Sequence, residues 1–363
     1  MRTLWNFNTG KSAIHIINNI PCIDEICRDA RAQKDKALIV CDEHTQKIAE
    51  NVDKGGKTRV CVLKAGESAK NWDSCAAILE AAQKAALSRD SLFIGVGGGV
   101  VSDLTAFCGS IYMRGVKVAL VSTTLLGMAD AAAGGKTGFD FMGIKNSVGT
   151  FYPAQNVYMP LETLQTLPLR EWKSGMAEII KTAVLDKSVY NSAVRARLLS
   201  ASKGFSAVNS FENGALFDII KRAVFFKAKI VLRDPCETKG LRVLLNLGHT
   251  FAHALETSAG LGTVTHGEAV AWGIVRACEL GKKLHITEDQ KADCICALIK
   301  EAAYESVAPH PCMNDTDFFM KALYSDKKKS AGKLKFVIPN KNGAVLAEVD
   351  DITLIRNLIN GNI

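Results

Sequence analysis

Three histidines that lie close together in the sequence are the residues best suited to metal chemistry. The 363-residue chain has seven histidines, and His249, His253 and His266 fall within eighteen residues. His249 and His253 are four residues apart and would share one face of a helix, while His266 would open the next helix after a turn at Gly260 and Gly262. A single histidine is usually structural, but two histidines on consecutive helices need only one carboxylate to form a three-ligand catalytic zinc site with an open position.

Glu178 is the first candidate for that carboxylate. It lies in segment 175–181, on a helix face that is otherwise apolar, where a glutamate costs free energy unless it is paired or metal-bound. The alternative is a surface ion pair with Lys181, three residues further on, worth about 0.3 kcal/mol. Glu268 is a rival ligand. The HExxH motif is absent, which disfavours a metalloprotease.

A glycine-rich turn over residues 95–103 follows a predicted strand and opens a predicted helix. Glycines at such a corner let backbone N–H groups approach a pyrophosphate at a helix N-terminus. The G-x-G-x-x-G fingerprint is not met, because Val100 stands where its last glycine would fall, so a tight turn without a ligand remains an alternative. Segments 66–70 and 122–124 also follow strands and would lie at the same edge of a parallel sheet. Asp42 ends another strand and could accept hydrogen bonds from a ribose, or cap the following helix.

Two lysines stand in glycine-bearing segments, which predicts phosphate-binding loops. Lys136 follows two glycines, and Lys145 follows Gly143 and Ile144. The first of these segments resembles the end of a Walker A motif, but Asp130 occupies the position of that motif's first glycine. Because a carboxylate there would repel phosphate, a nucleoside triphosphatase is disfavoured.

The elements that must position these residues differ between the two halves of the chain. Up to about residue 160, short apolar segments alternate with helical periodicity, which predicts a parallel sheet with crossover helices. The predicted strands are 37–41, 59–63, 92–96, 118–121 and 157–159, and the clearest helix is 70–88. Beyond Pro168 the periodicity predicts helices at 171–185, 217–232, 248–258, 267–284 and 289–303. Segments 334–338 and 344–349 flank a turn and predict a hairpin.

Composition narrows the classes of protein. The hydrophobic share of 48% and charged share of 23% are typical of folded globular chains, and the length predicts two domains with a cleft. The net charge of +8 is spread along the sequence without aromatic residues interleaved in its one dense lysine run, which favours anionic small molecules over nucleic acid. Eleven cysteines without a CxxC pair predict a reducing compartment. With no secretory signal or apolar span, we expect a cytoplasmic protein without membrane contact.

Ten motifs in order, from about residue 66 to 339, resemble those of the 3-dehydroquinate synthase family. The motifs are Gly97-Gly98-Gly99-Val100-x-x-Asp103, Tyr112-Met113-Arg114-Gly115, Thr123-Thr124-Leu125-Leu126, Asp130-x-x-x-Gly134-Gly135-Lys136-Thr137, Lys145-Asn146, Leu167-Pro168-x-Arg170-Glu171, Gly175-x-Ala177-Glu178-x-x-Lys181, Leu245-Asn246-Leu247-Gly248-His249-Thr250-Phe251-x-His253, His266-Gly267-Glu268-Ala269-Val270 and Asp326-Lys327-Lys328.

The resemblance implies an α/β N-terminal NAD-binding domain with a Rossmann-like parallel sheet, residues 1–165, and an all-helical metal- and substrate-binding domain, residues 166–363. It implies Zn²⁺ or Co²⁺ held by Glu178, His249 and His266. It implies NAD contacts from Asp42, Glu67, Lys70, Gly98, Gly99, Val100, Asp103, Thr123, Thr124, Asp130, Lys136, Lys145, Thr163 and Thr166. The substrate's phosphate and carboxylate would contact Arg114, Lys136, Asn146, Lys181, Lys227, Arg242, Asn246, His253 and Lys328, with Arg114 reaching across the interface of a homodimer.

The activity implied by the resemblance is that of a phosphorus-oxygen lyase of the shikimate pathway, which leads to aromatic amino acids. The substrate would be 3-deoxy-arabino-heptulosonate 7-phosphate, cyclised to 3-dehydroquinate with loss of phosphate. In this family NAD oxidises the substrate transiently, the substrate's own phosphate is thought to act as base, and the ring closes by an intramolecular aldol reaction. The alternatives are another sugar-phosphate cyclase making an inosose, a valiolone or an amino-dehydroquinate, a metal-dependent alcohol or glycerol dehydrogenase, and a non-catalytic ligand-binding protein.

Overall fold

The computed structural model describes residues 3–9, 11–54, 56, 58–130, 134–205, 214–260, 262–304, 315–325 and 334–360. The chain divides into two compact units. The first comprises Met1–Pro168 with Ile220–Cys236, and the second comprises Leu169–Ile219 with Glu237–Ile363. The grouping of 220–236 with the first unit adds a helical segment from the later sequence to it. The division into an NAD-binding domain, residues 1–165, and a metal- and substrate-binding domain, residues 166–363, stays a prediction.

The first unit is built on a seven-stranded sheet in the order β1-β2-β9-β6-β5-β3-β4. All its pairings are parallel except that of β1 with β2 at one edge. Its strands are β1 Thr3–Asn8, β2 Ala13–Ile17, β3 Ala37–Asp42, β4 Arg59–Leu63, β5 Leu92–Gly97, β6 Lys117–Ser122 and β9 Asn156–Pro160. The separate strands β7 Lys136–Phe141 and β8 Ile144–Phe151 pair with each other.

The central strands have the continuous apolar character of a sheet that is covered on both faces. Every residue of β5 and β9 is buried, as are the first five of β3. The helices of this part of the chain are α1 Ile23–Ala30, α2 Gln46–Val52, α3 Trp72–Lys84, α4 Gly99–Ile111 and α5 Leu125–Ala129. The prediction of an α/β parallel sheet and of its five strands is confirmed.

The hairpin of β7 and β8 differs from the sequence prediction. Lys136 and Lys145 were predicted in loops, but Lys136 opens β7 and Lys145 lies in β8. Gly138 and Gly149 pair across the hairpin, where a Cβ on Gly149 would lie 2.1 Å from the Thr137 carbonyl oxygen. These two glycines permit close approach of the two strands. The prediction that Lys136 and Lys145 lie in loops was therefore wrong.

The described residues of the second unit form helices and one hairpin. The helices in this part of the sequence are α6 Leu169–Leu185, α7 Ser192–Ala201, α8 Ala215–Arg233, α9 His249–Ala259, α10 His266–Lys283, α11 Asp289–Glu301, α12 Thr316–Ser325 and α13 Ile352–Asn360, with α8 divided between the units. The hairpin pairs β10 Leu334–Asn340 with β11 Gly343–Val349. The predicted helices and hairpin are confirmed. Within the described ranges, none of the helices combines the length and apolarity needed to cross a membrane.

Candidate metal centre and cofactor-binding edge

Glu178 lies in the buried half of α6. From Ser174 to Leu185 every residue of this helix is buried, and Glu178 itself is 1% exposed. A carboxylate in such a position must be compensated by cations or hydrogen bonds. The helix therefore carries a charged group into the core of the second unit, where only specific partners can stabilise it.

His249 and His266 are each the first residue of a helix. Gly248 precedes α9 with a left-handed φ of 79°, which a glycine adopts without a steric penalty. Thr265 caps α10 through its side chain, which accepts a hydrogen bond from the Glu268 N–H. Gly248 and Thr265 therefore fix where the two helices begin, which places both imidazoles at helix N-termini.

Glycines allow the ligand-bearing helices to approach closely. A Cβ on Gly267 would lie 2.3 Å from the Ser174 Cα on α6, and a Cβ on Gly273 would lie 2.2 Å from the Gly248 carbonyl oxygen. Because no side chain fits at either contact, α10 packs backbone to backbone against α6 and the start of α9. The predicted ligands are brought together by these contacts.

Glu178, His249 and His266 offer three donor atoms that all lie within 4.8 Å of one another. Glu178 Oε1 is 3.7 Å from His249 Nε2 and 3.6 Å from His266 Nε2. A tetrahedral zinc ion with ligand distances of about 2.0–2.2 Å separates its ligands by roughly 3.3–3.6 Å. The spacing and the donor types therefore fit a divalent metal held by one carboxylate and two imidazoles.

The electrostatics of the centre also favour a cation. Burial, together with the Lys181 ammonium, lowers the pKa of His249 well below its ordinary value, so the imidazole is neutral and can ligate. Burial also lowers the pKa of His266, but hydrogen bonds to Glu178 and Glu256 outweigh burial and raise it to about 10. A proton on His266 supplies the positive charge that a metal ion would otherwise supply. Lys181 contacts the other oxygen of Glu178, so the predicted pair exists but is buried.

The structure separates the rival candidates from the three ligands. Glu268 is turned toward the helix cap, where its Oε2 accepts hydrogen bonds from the Thr265 N–H at 2.7 Å and the Thr265 hydroxyl at 2.8 Å. His253 lies nearby, with ring centroids 5.5 Å from His249 and 6.5 Å from His266, outside the group of converging donor atoms.

Glu256 belongs to this centre and was missed by sequence reasoning. It is 4% exposed, and its Oε1 lies 3.4 Å from His266 Nδ1. Glu256 follows His249 by seven residues and His253 by three, so helical periodicity places all three on one side of α9. That periodicity was the signal that could have identified it.

In the first unit, three of the predicted binding residues form one polar network. Lys70 Nζ donates to Asp103 Oδ2 at 2.7 Å and to Asn146 Oδ1 at 2.6 Å. Lys145 Nζ lies 3.8 Å from Glu67 Oε1. Residues that sequence reasoning divided between NAD and the substrate are thus joined by direct contacts.

The glycine-rich turn lies at the carboxyl edge of the sheet, as its sequence predicts. Gly98 precedes α4, which begins at Gly99 and continues through Val100. Thr123 N–H donates to the Gly97 carbonyl oxygen at 3.0 Å, and the Thr124 hydroxyl accepts from Gly127 N–H at 3.0 Å. A Cβ on residue 98 would lie 3.0 Å from the Thr124 methyl group. This narrow turn at a helix N-terminus fits the pyrophosphate of a dinucleotide.

Two further predicted residues, Asp42 and Lys227, make polar contacts within the first unit. Asp42 Oδ1 accepts from Thr45 N–H at 2.9 Å and from the Thr45 hydroxyl at 2.7 Å, in a turn that leads into α2. Lys227 contacts the side chain and carbonyl oxygen of Asp130.

Other predicted site residues lie at helix ends and turns. Thr163 and Thr166 donate to the carbonyl oxygens of Pro160 and Thr163 within the 3₁₀ segment Leu161–Thr166. Arg242 is buried, Asn246 donates to Glu237 at 3.5 Å, and Arg114 adopts a left-handed φ of 65°. Lys328 lies outside the described residues.

Comparison with known proteins identifies the family to which the chain is similar. Residues 60–174 match the family model of the 3-dehydroquinate synthase N-terminal region, and residues 175–329 match that of its C-terminal region. The 3-dehydroquinate synthase of Prochlorococcus marinus (strain NATL2A) is 39% identical over 308 residues, which cover 85% of this chain and 79% of that protein.

Two solved structures share the fold at lower identity. One is 2-deoxy-scyllo-inosose synthase complexed with carbaglucose-6-phosphate, NAD⁺ and Co²⁺, with a TM-score of 0.83, 21% identity, and coverage of 98% of this chain and 99% of that one. The other is 2-epi-5-epi-valiolone synthase from Streptomyces hygroscopicus subsp. jinggangensis 5008 with NAD⁺ and Zn²⁺ bound, with a TM-score of 0.80, 23% identity, and coverage of 99% and 97%. These two establish likeness of fold, while the family models and the relative establish more: the chain belongs to the 3-dehydroquinate synthase family.

Proposed function

We propose that this protein converts 3-deoxy-arabino-heptulosonate 7-phosphate to 3-dehydroquinate and phosphate, as a lyase that uses NAD and a divalent metal. The observation that carries the proposal is the convergence of Glu178, His249 and His266 in a chain of this family. A chain that had kept the fold but lost the chemistry would not need to bury these donors together.

The three donors would hold Zn²⁺ or Co²⁺ and leave coordination positions open for substrate hydroxyl groups. A bound divalent ion would act as a Lewis acid and lower the pKa of those hydroxyls, and bound NAD would accept a hydride from the substrate and later return it. Glu178 has a further role, because its second oxygen contacts Lys181 and so anchors that ammonium beside the ligands.

The edge of the sheet in the first unit would bind the dinucleotide. Gly98 and the N-terminus of α4 supply backbone N–H groups for the pyrophosphate. Around them we place the other predicted NAD residues, Asp42, Glu67, Lys70, Asp103, Thr123, Thr124, Asp130, Lys136, Lys145, Thr163 and Thr166. Lys70 is held by Asp103 and Asn146, which fixes its ammonium at one position instead of leaving it to solvent.

The basic residues would bind the two anionic ends of the substrate. Lys181 and Arg242 are buried, so their charges act in a medium of low dielectric constant where they attract an anion strongly. Asn246 and His253 would add hydrogen bonds, and Arg114, Lys136, Asn146, Lys227 and Lys328 complete the proposed set. For the elimination we assign no protein base, and the substrate's phosphate would remove the proton itself.

Assembly as a homodimer, with Arg114 serving the neighbouring subunit, is part of the same proposal. Large apolar side chains are exposed at the tip of the hairpin of β7 and β8, where Met142 is 86% and Ile144 64% exposed. Met113, next to Arg114, is also exposed. Exposed apolar side chains of this size support an association surface in this part of the first unit.

The proposal is tested by phosphate release from the heptulosonate phosphate, with and without a chelator and with and without NAD. We expect release only when both metal and NAD are present. His249→Ala should give a folded, metal-poor and inactive protein, whereas His285→Asn, at an exposed position with φ of 55°, should behave as wild type. Release that ignores the chelator, or turnover only of a heptulose 7-phosphate without a carboxylate, would reject the assignment.

A further inference from the structure

Both imidazoles of the candidate metal centre have a Nδ1 atom that faces an oxygen. His249 Nδ1 lies 3.2 Å from the carbonyl oxygen of Leu247, two residues earlier in the chain. His266 Nδ1 lies 3.4 Å from Glu256 Oε1. In both rings the opposite nitrogen, Nε2, is the atom directed at Glu178.

The two oxygen acceptors differ in charge and origin. The Leu247 carbonyl is a neutral group fixed by the local turn, whereas Glu256 is a carboxylate on α9 that reaches the first residue of α10. Glu256 is 4% exposed, and burying a carboxylate costs several kcal/mol unless a charged or hydrogen-bonding partner compensates it. Its position is therefore not explained by packing alone.

We infer that Glu256 is a positioning residue of the metal centre, which holds the Nδ1–H of His266 so that the Nε2 lone pair points at the metal. A metal-bound histidine generally donates its other ring N–H to a carboxylate or carbonyl, which fixes the tautomer and the ring orientation. Glu256 also brings a second carboxylate to His266 besides Glu178. This inference rests on the proposed metal site and extends it beyond the three ligands.

Zinc binding to the full-length, metal-depleted protein tests the inference without using catalysis. Zn²⁺ is titrated in competition with a chromogenic chelator for wild type, Glu256→Gln and Glu256→Met. Gln retains an acceptor oxygen but loses the charge, and Met retains most of the volume but loses both. We expect affinity to fall about 10- to 100-fold, with Met more affected than Gln.

Glu268→Gln is the matched control, because it removes another glutamate charge near His266 from an exposed helix cap. Its zinc affinity should equal that of wild type. Co²⁺-loaded Glu256→Gln should also show a changed visible absorption spectrum, whereas the control should not. Variants at 256 that bind Zn²⁺ within about twofold of wild type would overturn the inference.

The tautomer can also be read in the wild type, which removes any dependence on the folding of the variants. In ¹⁵N-histidine-labelled, zinc-loaded protein we expect His266 to carry its proton on Nδ1. A proton on Nε2 would overturn the inference even if the variants were unstable. Failure of the wild type to bind zinc at all would instead reject the proposed function, so the two outcomes are distinguishable.

Discussion

The metal centre of the second unit and the Lys70 network of the first show two ways of burying charge. In the network, the opposite charges are already matched, because Lys70 contacts Asp103 and Asn146 at 2.7 and 2.6 Å. In the centre, one carboxylate oxygen faces two imidazole nitrogens. Burial lowers the pKa of His249, so its imidazole is neutral, whereas at His266 burial is outweighed by hydrogen bonds to Glu178 and Glu256, which raise its pKa. The Lys70 network already contains its own cation, whereas the three donors of the metal centre would be completed by a bound cation. The following substitutions test this difference.

Glu178→Gln should have the largest effect, because it removes a ligand and breaks the buried contact with Lys181. The binding free energy of a structural zinc site with four protein ligands is ~10–16 kcal/mol. If each ligand contributes about a quarter of it, the loss of one ligand weakens zinc binding roughly 100- to 1,000-fold. The broken pair should also lower the free energy of unfolding by about 3–5 kcal/mol. Zinc titration and urea denaturation of the metal-depleted protein measure the two effects.

The double variant Glu178→Gln with Lys181→Met separates these effects. It removes the uncompensated ammonium, so we expect stability to recover while zinc binding stays lost. Zinc binding at wild-type affinity in either variant would show that the centre is not the metal site.

Gly267→Ala should have the next largest effect, because the new methyl group would meet the α6 backbone at Ser174. Forcing α6 and α10 apart should cost about 1–3 kcal/mol of unfolding free energy. It should also weaken zinc binding, since these helices carry Glu178 and His266. Thermal unfolding and the same zinc titration provide the measurements.

Ser174→Ala is the control for that contact. It removes the hydroxyl that accepts the Gly267 N–H at 3.1 Å but leaves the backbone spacing intact. A loss of about 0.5–1.5 kcal/mol with unchanged zinc affinity is expected. If Gly267→Ala also binds zinc normally, the close helix approach does not set the ligand geometry.

Asp103→Asn tests the matched network and should reduce stability without affecting zinc. Because the Asp103 side chain is 20% exposed and Asn146 would still accept from Lys70, we expect a loss of about 1–3 kcal/mol, below that of a fully buried pair. Burial lowers the pKa of Lys70, but Asp103 outweighs burial and raises it above the ordinary 10.5. The contribution of Lys70 to stability is therefore present at neutral pH and is lost as the pH rises through its raised pKa. At acid pH the pair is also broken, because burial raises the pKa of Asp103 above its ordinary 3.8 and the carboxylate is protonated below that raised pKa.

Asp90→Asn is a suitable comparison, since the Lys36–Asp90 contact of 2.6 Å is close in length to the 2.7 Å of Lys70–Asp103 but lies at the surface. Urea denaturation should show little change for this variant. An equal loss of stability in both variants would mean that burial does not distinguish the two pairs.

The sequence could predict the features that depend on neighbouring residues but not those that depend on distant ones. Helix periodicity and nearby turns, which are local properties of the chain, identified Glu178, His249 and His266 as candidates. They left Glu268 and His253 as alternatives, and the choice of the three ligands came from the family motifs. The parallel strands were identifiable because their short apolar segments are also a local property of the chain. The contact of Lys70 with Asn146 joins residues 76 positions apart, and no local pattern reports it.

Two errors have specific physical causes. The segments of Lys136 and Lys145 were predicted as loops from the glycines that precede the lysines, but both lysines lie in paired strands, which Gly138 and Gly149 allow to approach closely. Glu256 was overlooked although it lies two helical turns from His249. Its importance depends on His266, which approaches it from another helix.

Glu268→Ala should have a small effect and tests the composition of the centre. Glu268 was a rival ligand by sequence, but its carboxylate closes the capping box at the start of α10. Its loss should cost about 0.3–1.5 kcal/mol, measured by urea denaturation, and leave zinc stoichiometry unchanged. Because His266 is the first residue of that helix, fraying could weaken zinc binding slightly, and Thr265→Ala, which removes the other half of the cap, should then do the same. A loss of zinc as large as that of Glu178→Gln, seen with Glu268→Ala but not with Thr265→Ala, would make Glu268 a ligand.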